Sequence, residues 1–154
     1  MLRRTHAIFA MAVAFFLRLT PSQIIASGFF GIVSDMDHTL GLRHRGFTHS
    51  ILFAVLAYAV TSMLFPNLAL PALVGITTHI FADMLNPEGV ELFYPSRKNY
   101  RIAKFRFDSL LGNGIVIALS VMLVVLRFKY CVSVKPLEEL SLTLHEFVRS
   151  AGFR

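Results

Sequence analysis

Histidine and aspartate, the side chains best suited to bind divalent metal ions, are concentrated in four short stretches of this sequence. The stretches are Thr5-His6, Asp35-Met36-Asp37-His38, His44-Arg45-Gly46-Phe47-Thr48-His49 and His79-Ile80-Phe81-Ala82-Asp83. Imidazole and carboxylate groups together suit zinc, manganese or iron. A divalent ion also lowers the pKa of bound water, from 15.7 toward about 7, so that it can attack at neutral pH. The pattern therefore predicts a metal site and points to metal-assisted hydrolysis.

Each stretch has a structural explanation when it is taken alone. His79 and Asp83 are four residues apart and would share one helical face, either as two ligands of one ion or as a simple polar pair. Residues 35–38 could equally form the polar end of a helix. Residues 44–49 could be a basic surface loop, in which Gly46 can adopt the positive φ that lets the chain fold back. The metal site is favoured because the stretches occur together in a chain otherwise poor in polar residues.

The predicted site residues fall into two groups. The predicted metal ligands are His6, Asp35, Asp37, His38, His44, His49, His79 and Asp83, and the predicted catalytic residues are Asp37, His44 and Arg45. We expect one to three divalent ions per chain, and the number of carboxylates favours two or three over one; zinc is expected, with manganese or iron as alternatives. The single cysteine, Cys131, lies outside these stretches, which argues against a thiolate zinc site.

The rest of the chain is unusually apolar. Hydrophobic residues make up 55% and charged residues 16%, against about 45–50% and about 25% in soluble domains. Five apolar segments stand out, at residues 6–19, 22–34, 50–65, 68–85 and 109–128. Because a membrane-spanning helix needs about 20 mainly apolar residues, the pattern predicts an all-α, polytopic integral membrane bundle of about four to five transmembrane helices. Residues 1–128 would form the membrane domain, and residues 129–154 an amphipathic, interfacial helix.

Basic residues predict the orientation of this bundle. The chain has 15 Lys and Arg, of which nine lie in the N-terminus and the two long loops, namely Arg3, Arg4, Arg43, Arg45, Arg97, Lys98, Arg101, Lys104 and Arg106. The positive-inside rule then puts these loops, and the metal site, at the cytoplasmic face of the inner membrane. The four basic residues after residue 128 oppose this placement, so the alternative is that one segment, such as either short segment near the N-terminus, does not cross. Topology also explains the net charge of +6, and no nucleic acid is expected.

In these motifs the sequence resembles the YdjM-like family of bacterial and archaeal membrane proteins. The resemblance rests on His6, on Asp35-Met36-Asp37-His38, on the run from His44 to Ser50, and on His79-Ile80-Phe81-Ala82-Asp83 with Asn86-Pro87 and Gly89 after it, and it covers about residues 5 to 106. Ser34 stands where the family usually has a proline. The resemblance implies a membrane-bound, metal-dependent hydrolase. A looser similarity to the all-helical zinc phospholipase C and single-strand nuclease superfamily suggests a phosphoester as the substrate.

Three classes of function fit these observations. The first is a metal-dependent hydrolase that acts on a phosphoester in a lipid or a lipid-linked substrate, with Arg43, Arg45, Arg97 and Lys98 near the phosphate. The same basic residues are also explained by topology and by attraction to anionic membrane lipids. The second class is a divalent-metal transporter or a metal-sensing membrane module, and the third is a scaffold with a structural metal. Ligands near segment ends and the absence of a sequence repeat favour the enzyme, because transporters bind ions near the bilayer midplane.

Overall fold

The computed structural model describes residues 2–38, 41, 43–106 and 109–130, without the side chains of His38 and Tyr130. It contains five α-helices: α1 (Arg3–Phe16), α2 (Pro21–Val33), α3 (Ile51–Leu64), α4 (Pro66–Met84) and α5 (Leu110–Tyr130). Two short 3-10 helices, Ser34–His38 and Phe47–His49, lie between α2 and α3. Extended pairing in this part of the chain is one isolated bridge between Val90 and Tyr100. The all-α prediction is confirmed, and the predicted amphipathic tail lies outside the described residues from residue 131 onward.

The helices follow the five apolar segments, with local signals at their ends. Thr20 caps α2: its hydroxyl accepts from the Gln23 N–H, and the Gln23 side chain accepts from the Thr20 N–H. Pro66, which the sequence suggested as the end of the third segment, instead opens α4. A proline at the first helical position loses no hydrogen bond, because that N–H would have no partner within the helix. The break between α3 and α4 is thereby confined to Phe65.

The helices alternate in direction, so that their polar residues meet at one end of the bundle. At this end, which we call the polar end, the Thr5 hydroxyl near the start of α1 donates to Asn113 Oδ1 near the start of α5 at 2.9 Å. At the opposite end, which we call the far end, the Gln23 side chain at the start of α2 donates to the Asn67 carbonyl at the start of α4 at 3.1 Å. The polar end therefore combines the starts of α1, α3 and α5 with the last turns of α2 and α4.

Small residues allow the helices to approach closely inside the bundle. Buried positions between helices include Ala10, Ala14, Ser27, Ala72 and Ala82, each with 0% exposure. Gly75 marks the closest approach of α4 to α2, because a Cβ atom there would lie 2.6 Å from the Ser27 carbonyl oxygen and 2.6 Å from Phe30 Cβ. Small residues at helix interfaces are typical of membrane proteins, in which packing rather than water exclusion drives association.

Large apolar side chains cover the outside of the bundle. Phe29, Met63 and Leu111 are 65%, 84% and 65% exposed. Soluble monomers rarely expose contiguous apolar surface on this scale. Helix α5 is long and apolar enough to cross a bilayer, with mean hydropathy 2.2 in an 18-residue window within Leu110–Lys129, whereas α3 is apolar but has only 14 residues. Among the described helices α5 alone meets both criteria, so the four to five membrane crossings stay a prediction.

Candidate metal centre

Four of the predicted metal ligands meet at the polar end of the bundle. Ligand atoms of Asp35, His49, His79 and Asp83 all lie within 4.8 Å of one another. Asp35 and His49 belong to the two 3-10 helices, and His79 and Asp83 lie one turn apart on α4. The side chains of His49, His79 and Asp83 are at most 2% exposed, and that of Asp35 is 15% exposed. A buried set of two imidazoles and two carboxylates is suited to a divalent ion.

Hydrogen bonds at the back of each imidazole assign its tautomer. His79 Nδ1 donates to the carbonyl oxygen of Gly31, 2.8 Å away on α2, so its Nε2 carries a lone pair. The Thr48 hydroxyl donates its one hydrogen to Asp37 Oδ2 at 3.1 Å, and its oxygen then accepts from His49 Nδ1 at 3.0 Å. Nε2 of His49 therefore also carries a lone pair. Such hydrogen bonds to the rear nitrogen are typical of metal-bound histidines.

The two front nitrogens lie close together, with no hydrogen between them in these tautomers. His49 Nε2 and His79 Nε2 are 3.0 Å apart, so in these tautomers their lone pairs would repel each other. A proton or a metal ion would remove this repulsion. Asp83 Oδ2 lies 3.3 Å from His49 Nε2 and 3.7 Å from His79 Nε2. Asp35 Oδ1 lies 3.9 Å from His49 Nε2 and 3.6 Å from His79 Nε2. Two carboxylates around the same point favour the divalent ion, and the residues present therefore fit a metal.

His6 lies on the other side of Asp83. Its ring stacks on that of His79, with centroids 4.1 Å apart and planes inclined by 26°. The side chain is 1% exposed, Nδ1 has no hydrogen-bond partner among the described residues, and Nε2 lies 3.4 Å from Asp83 Oδ1. A buried polar group without a hydrogen bond costs free energy. His6 therefore also fits a metal ligand, at the oxygen of Asp83 that does not face His49.

Asp37 joins the loop residues of the site. Its carboxylate is fully buried and accepts from His44 Nδ1 at 3.1 Å and from the backbone N–H of Arg45 at 3.2 Å, in addition to the Thr48 hydroxyl. Burial alone would raise the pKa of Asp37, but the hydrogen bond from His44, the electrostatic interactions with His49 and His44, and the hydrogen bond from the Arg45 N–H outweigh burial and lower this pKa. Asp37, His44 and His49 form a second group of potential ligands. The protein donors around Asp37 favour an orienting role for its carboxylate.

Arg45, not Gly46, adopts the left-handed backbone conformation in this loop. The φ of Arg45 is +63°, whereas that of Gly46 is −89°. Arg45 is held in place on both sides, because its N–H donates to Asp37 and its carbonyl accepts from the Glu91 N–H at 3.0 Å. A Cβ atom on Gly46 would lie 3.1 Å from the Arg43 carbonyl oxygen, so crowding explains the glycine. A non-glycine residue at positive φ is uncommon and often marks a functional site.

The Arg45 guanidinium reaches the edge of the cluster. Its Nε lies 3.9 Å from Asp83 Oδ2, its Nη1 lies 3.2 Å from Glu88 Oε2, and the side chain is 11% exposed. Arg43 instead pairs with the buried Glu91 at 3.1 Å, and Lys98 lies over the Tyr100 ring. Arg45 is thus the predicted phosphate-binding residue that the structure brings to the cluster.

Several site residues were not predicted from the sequence. The Gly31 carbonyl accepts a hydrogen bond from His79, and the Thr48 hydroxyl bonds to both His49 and Asp37. Glu88 pairs with Arg45, and Glu91 pairs with Arg43. Thr48 could have been found, since it lies between two predicted ligands in the sequence. Gly31 could not, because its contribution is a backbone carbonyl 48 positions from His79. The predicted ligand His38 lies in the first 3-10 helix, and its side chain is outside the described part.

Comparison with known proteins identifies the family. The chain matches the family described as YdjM inner membrane protein over residues 1–144. It is 26% identical to the uncharacterized protein YvsG of Bacillus subtilis over 126 residues, which cover 70% of this chain and 79% of the relative. It is 36% identical to the inner membrane protein YdjM of Escherichia coli over 132 residues, which cover 63% of this chain and 67% of the relative. The inner membrane protein YdjM of Shigella flexneri is similar to the same extent. No solved structure matches. The chain therefore belongs to the YdjM inner membrane protein family.

Proposed function

We propose that this protein is a membrane-bound hydrolase that uses a divalent metal ion, held by Asp35, His49, His79 and Asp83, to cleave a phosphoester with water. The observation that carries the proposal is the 3.0 Å approach of two imidazole Nε2 atoms, each hydrogen-bonded through its other nitrogen. When bound, the ion would supply Lewis acidity and lower the pKa of water. Zinc is the expected metal, with manganese or iron as alternatives.

The protein's own groups would divide the remaining tasks. Arg45 would bind the phosphoryl oxygens, because a guanidinium offers paired N–H donors in the geometry of a phosphate. His44 would transfer a proton at the mouth of the site: its side chain is 41% exposed, and its Nδ1 is held by Asp37 at 3.1 Å. Asp37 would orient both His44 and, through Thr48, His49.

His6 supports a second metal position. Asp83 presents Oδ2 to His49 and His79, and Oδ1 to His6. His6 and Asp83 would then hold a second ion, which would supply further Lewis acidity in phosphoester hydrolysis. We therefore propose one ion at the four-residue cluster and a second beside His6.

The protein would lie in the inner membrane as a multi-pass protein, with the polar end facing the cytoplasm. The relatives named inner membrane proteins and the nine basic residues of this end support that placement. Lys98→Cys at the polar end and Asn67→Cys at the far end would each be made in a variant without Cys131. Labelling of intact cells with a membrane-impermeant thiol reagent would show which position faces outward. We expect labelling at position 67 and none at position 98. Labelling at position 98 would overturn the orientation.

The hydrolase proposal is tested by offering phosphomonoester and phosphodiester lipids to the purified, metal-loaded protein. We expect phosphate release that a chelator abolishes and that zinc or manganese restores. Arg45→Gln should reduce turnover while metal content stays constant, because Arg45 would contact the substrate. Absence of hydrolysis across both lipid classes by the metal-loaded protein would contradict the proposal.

A transporter is the alternative, and the position of the cluster argues against it. Transporters bind their ions near the bilayer midplane, usually on broken helices. Here Asp83 lies in the last turn of a continuous α4, and Asp35 and His49 lie between helices. Uptake of zinc into proteoliposomes that contain the protein, without phosphoester hydrolysis, would favour the transporter.

A further inference from the structure

An apolar groove runs along the outside of the bundle between α3 and α4. It has a volume of 270 Å³ and is lined by Ile51, Val55, Leu73, Thr77, Phe81 and Met84, with Leu92 at the polar end. The Thr77 hydroxyl donates to the Leu73 carbonyl within the same helix at 2.6 Å, so its hydrogen-bonding capacity is used there. The groove therefore offers a hydrocarbon surface to a ligand.

The groove is long and reaches the polar end of the bundle, where Ile51 and Leu92 line it. From Leu73 to Met84 the helix rises by about 16 Å, about half the roughly 30 Å thickness of the hydrocarbon layer. Its residues Ile80 and Met84 directly follow His79 and Asp83 in α4. A chain lying in the groove would thus extend from the cluster toward the membrane interior.

The same backbone that ends the groove also positions the basic residues of the site. The Ile51 N–H donates to the Leu92 carbonyl at 3.0 Å, and the adjacent Glu91 N–H donates to the Arg45 carbonyl at 3.0 Å. Arg43 pairs with the Glu91 side chain at 3.1 Å. Guanidinium groups at one end and apolar side chains along its length match a molecule with an anionic head and a hydrocarbon chain.

We propose that this groove, the α3–α4 groove, binds the hydrocarbon chain of an alkyl or isoprenyl phosphoester whose phosphate lies at Arg45. The proposal rests on the proposed hydrolase function and specifies its substrate class as a long-chain amphiphile. Chain length would then contribute to affinity through van der Waals contacts between the methylene groups and the groove, because a hydrocarbon chain in a membrane or a micelle is already out of water.

A second groove provides the comparison. It is larger, at 440 Å³, and is lined by residues of α1, α2 and α5 that include Phe15, Ile24 and Val121. Ile24 lies in the first turn of α2 and Phe15 in the last turn of α1, so this groove extends to the far end, away from the cluster. Ordinary membrane lipid would fill both grooves, but only the α3–α4 groove would connect a bound chain to the metal cluster.

Two matched variants test the assignment. Val55 and Val121 are 54% and 57% exposed and line the two different grooves. Val55→Phe would narrow the α3–α4 groove, and Val121→Phe is the control in the second groove. Binding of tetradecyl phosphonate and ethyl phosphonate to the full-length, zinc-loaded protein in detergent would be measured by equilibrium dialysis.

We expect Val55→Phe to weaken tetradecyl phosphonate binding severalfold, because the phenyl ring would displace part of the chain and remove its van der Waals contacts with the groove. Ethyl phosphonate binding should not change, and Val121→Phe should change neither. Equal weakening by both variants, or no effect of Val55→Phe, would overturn the groove assignment. A selective effect of Val55→Phe in a protein that hydrolyses no phosphoester would retain the groove and overturn only the hydrolase function.

Discussion

The two ends of the bundle use their side chains in opposite ways. At the polar end, His6, His49, His79 and Asp83 are all buried to at least 98%. Toward the far end, large apolar side chains such as Met63, at 84% exposure, lie on the outside. Ionisable groups at membrane depth are costly and usually serve a function. The polar end depends on specific contacts between buried side chains, whereas the far end needs only side chains that are compatible with lipid. The same kind of substitution should therefore have a larger effect on metal binding and activity at the polar end than at the far end.

The largest effect is expected when a ligand is removed at the polar end. His79→Ala and Asp83→Ala should each lower metal affinity by more than about 100-fold, exceeding what loss of a residue behind a ligand usually costs. Hydrolysis should be abolished, because the ion would supply both the Lewis acid and the activated water. Metal analysis and membrane fractionation check the two consequences separately.

Two control variants accompany this prediction. Met63→Ala at the far end and His145→Ala, in the tail outside the described residues, should retain metal, insertion and turnover. If the Asp83 variant inserts normally, keeps its metal and turns over like the wild type, the site assignment is wrong.

A smaller effect is expected behind the ligands. Asp37→Asn should lower zinc affinity by about 10- to 100-fold, because it removes the negative charge and replaces one of the two acceptor oxygens that hold His44, Thr48 and, through Thr48, the His49 ring. Competition between the protein and a chelator of known zinc affinity measures this change. An unaltered affinity would show that Asp37 does not orient the site.

Helix packing provides a matched pair of glycines. Gly75→Ala should lower the free energy of unfolding by about 1–3 kcal/mol, because its Cβ would overlap Ser27 and Phe30 and push α4 from α2. His79 lies one turn away, so zinc affinity should fall severalfold. Gly114→Ala is the control: apart from its own helix backbone, no atom of the described residues lies within 4 Å of its Cβ position, and a helical alanine can add up to about 1 kcal/mol. Thermal melts with and without zinc compare the pair, and equal behaviour would contradict the close approach.

The smallest effect is expected from removal of the solvent-exposed ion pair between Glu88 and Arg45 at the polar end. Glu88 is 74% exposed and pairs with Arg45 at 3.2 Å. Exposed ion pairs contribute about 0–1 kcal/mol, so Glu88→Gln should leave zinc content unchanged and stability within that range. A loss of metal in this variant would show that a solvent-exposed contact of the polar end is also required for metal binding.

The sequence predicted the elements of this fold better than their contacts. The five apolar segments locate the helices, because hydropathy is a local property of the sequence. Asp35, His49, His79 and Asp83 were found by their chemistry alone. Their relative geometry depends on the approach of α4 to α2 at Gly75, which places His79 against the Gly31 carbonyl, and no local pattern encodes that distance. The strained φ of Arg45 likewise follows from partners on both sides of the loop.

The central claim is that the buried cluster holds a divalent ion, and the metal content of the gently purified wild-type protein tests it most directly. Elemental analysis combined with X-ray absorption at the metal edge measures both the amount and the ligands. We predict at least one transition-metal ion per chain, with nitrogen ligands from two or more imidazoles and oxygen ligands from carboxylates. A metal-free protein that takes up neither zinc nor manganese when these are added would contradict the account.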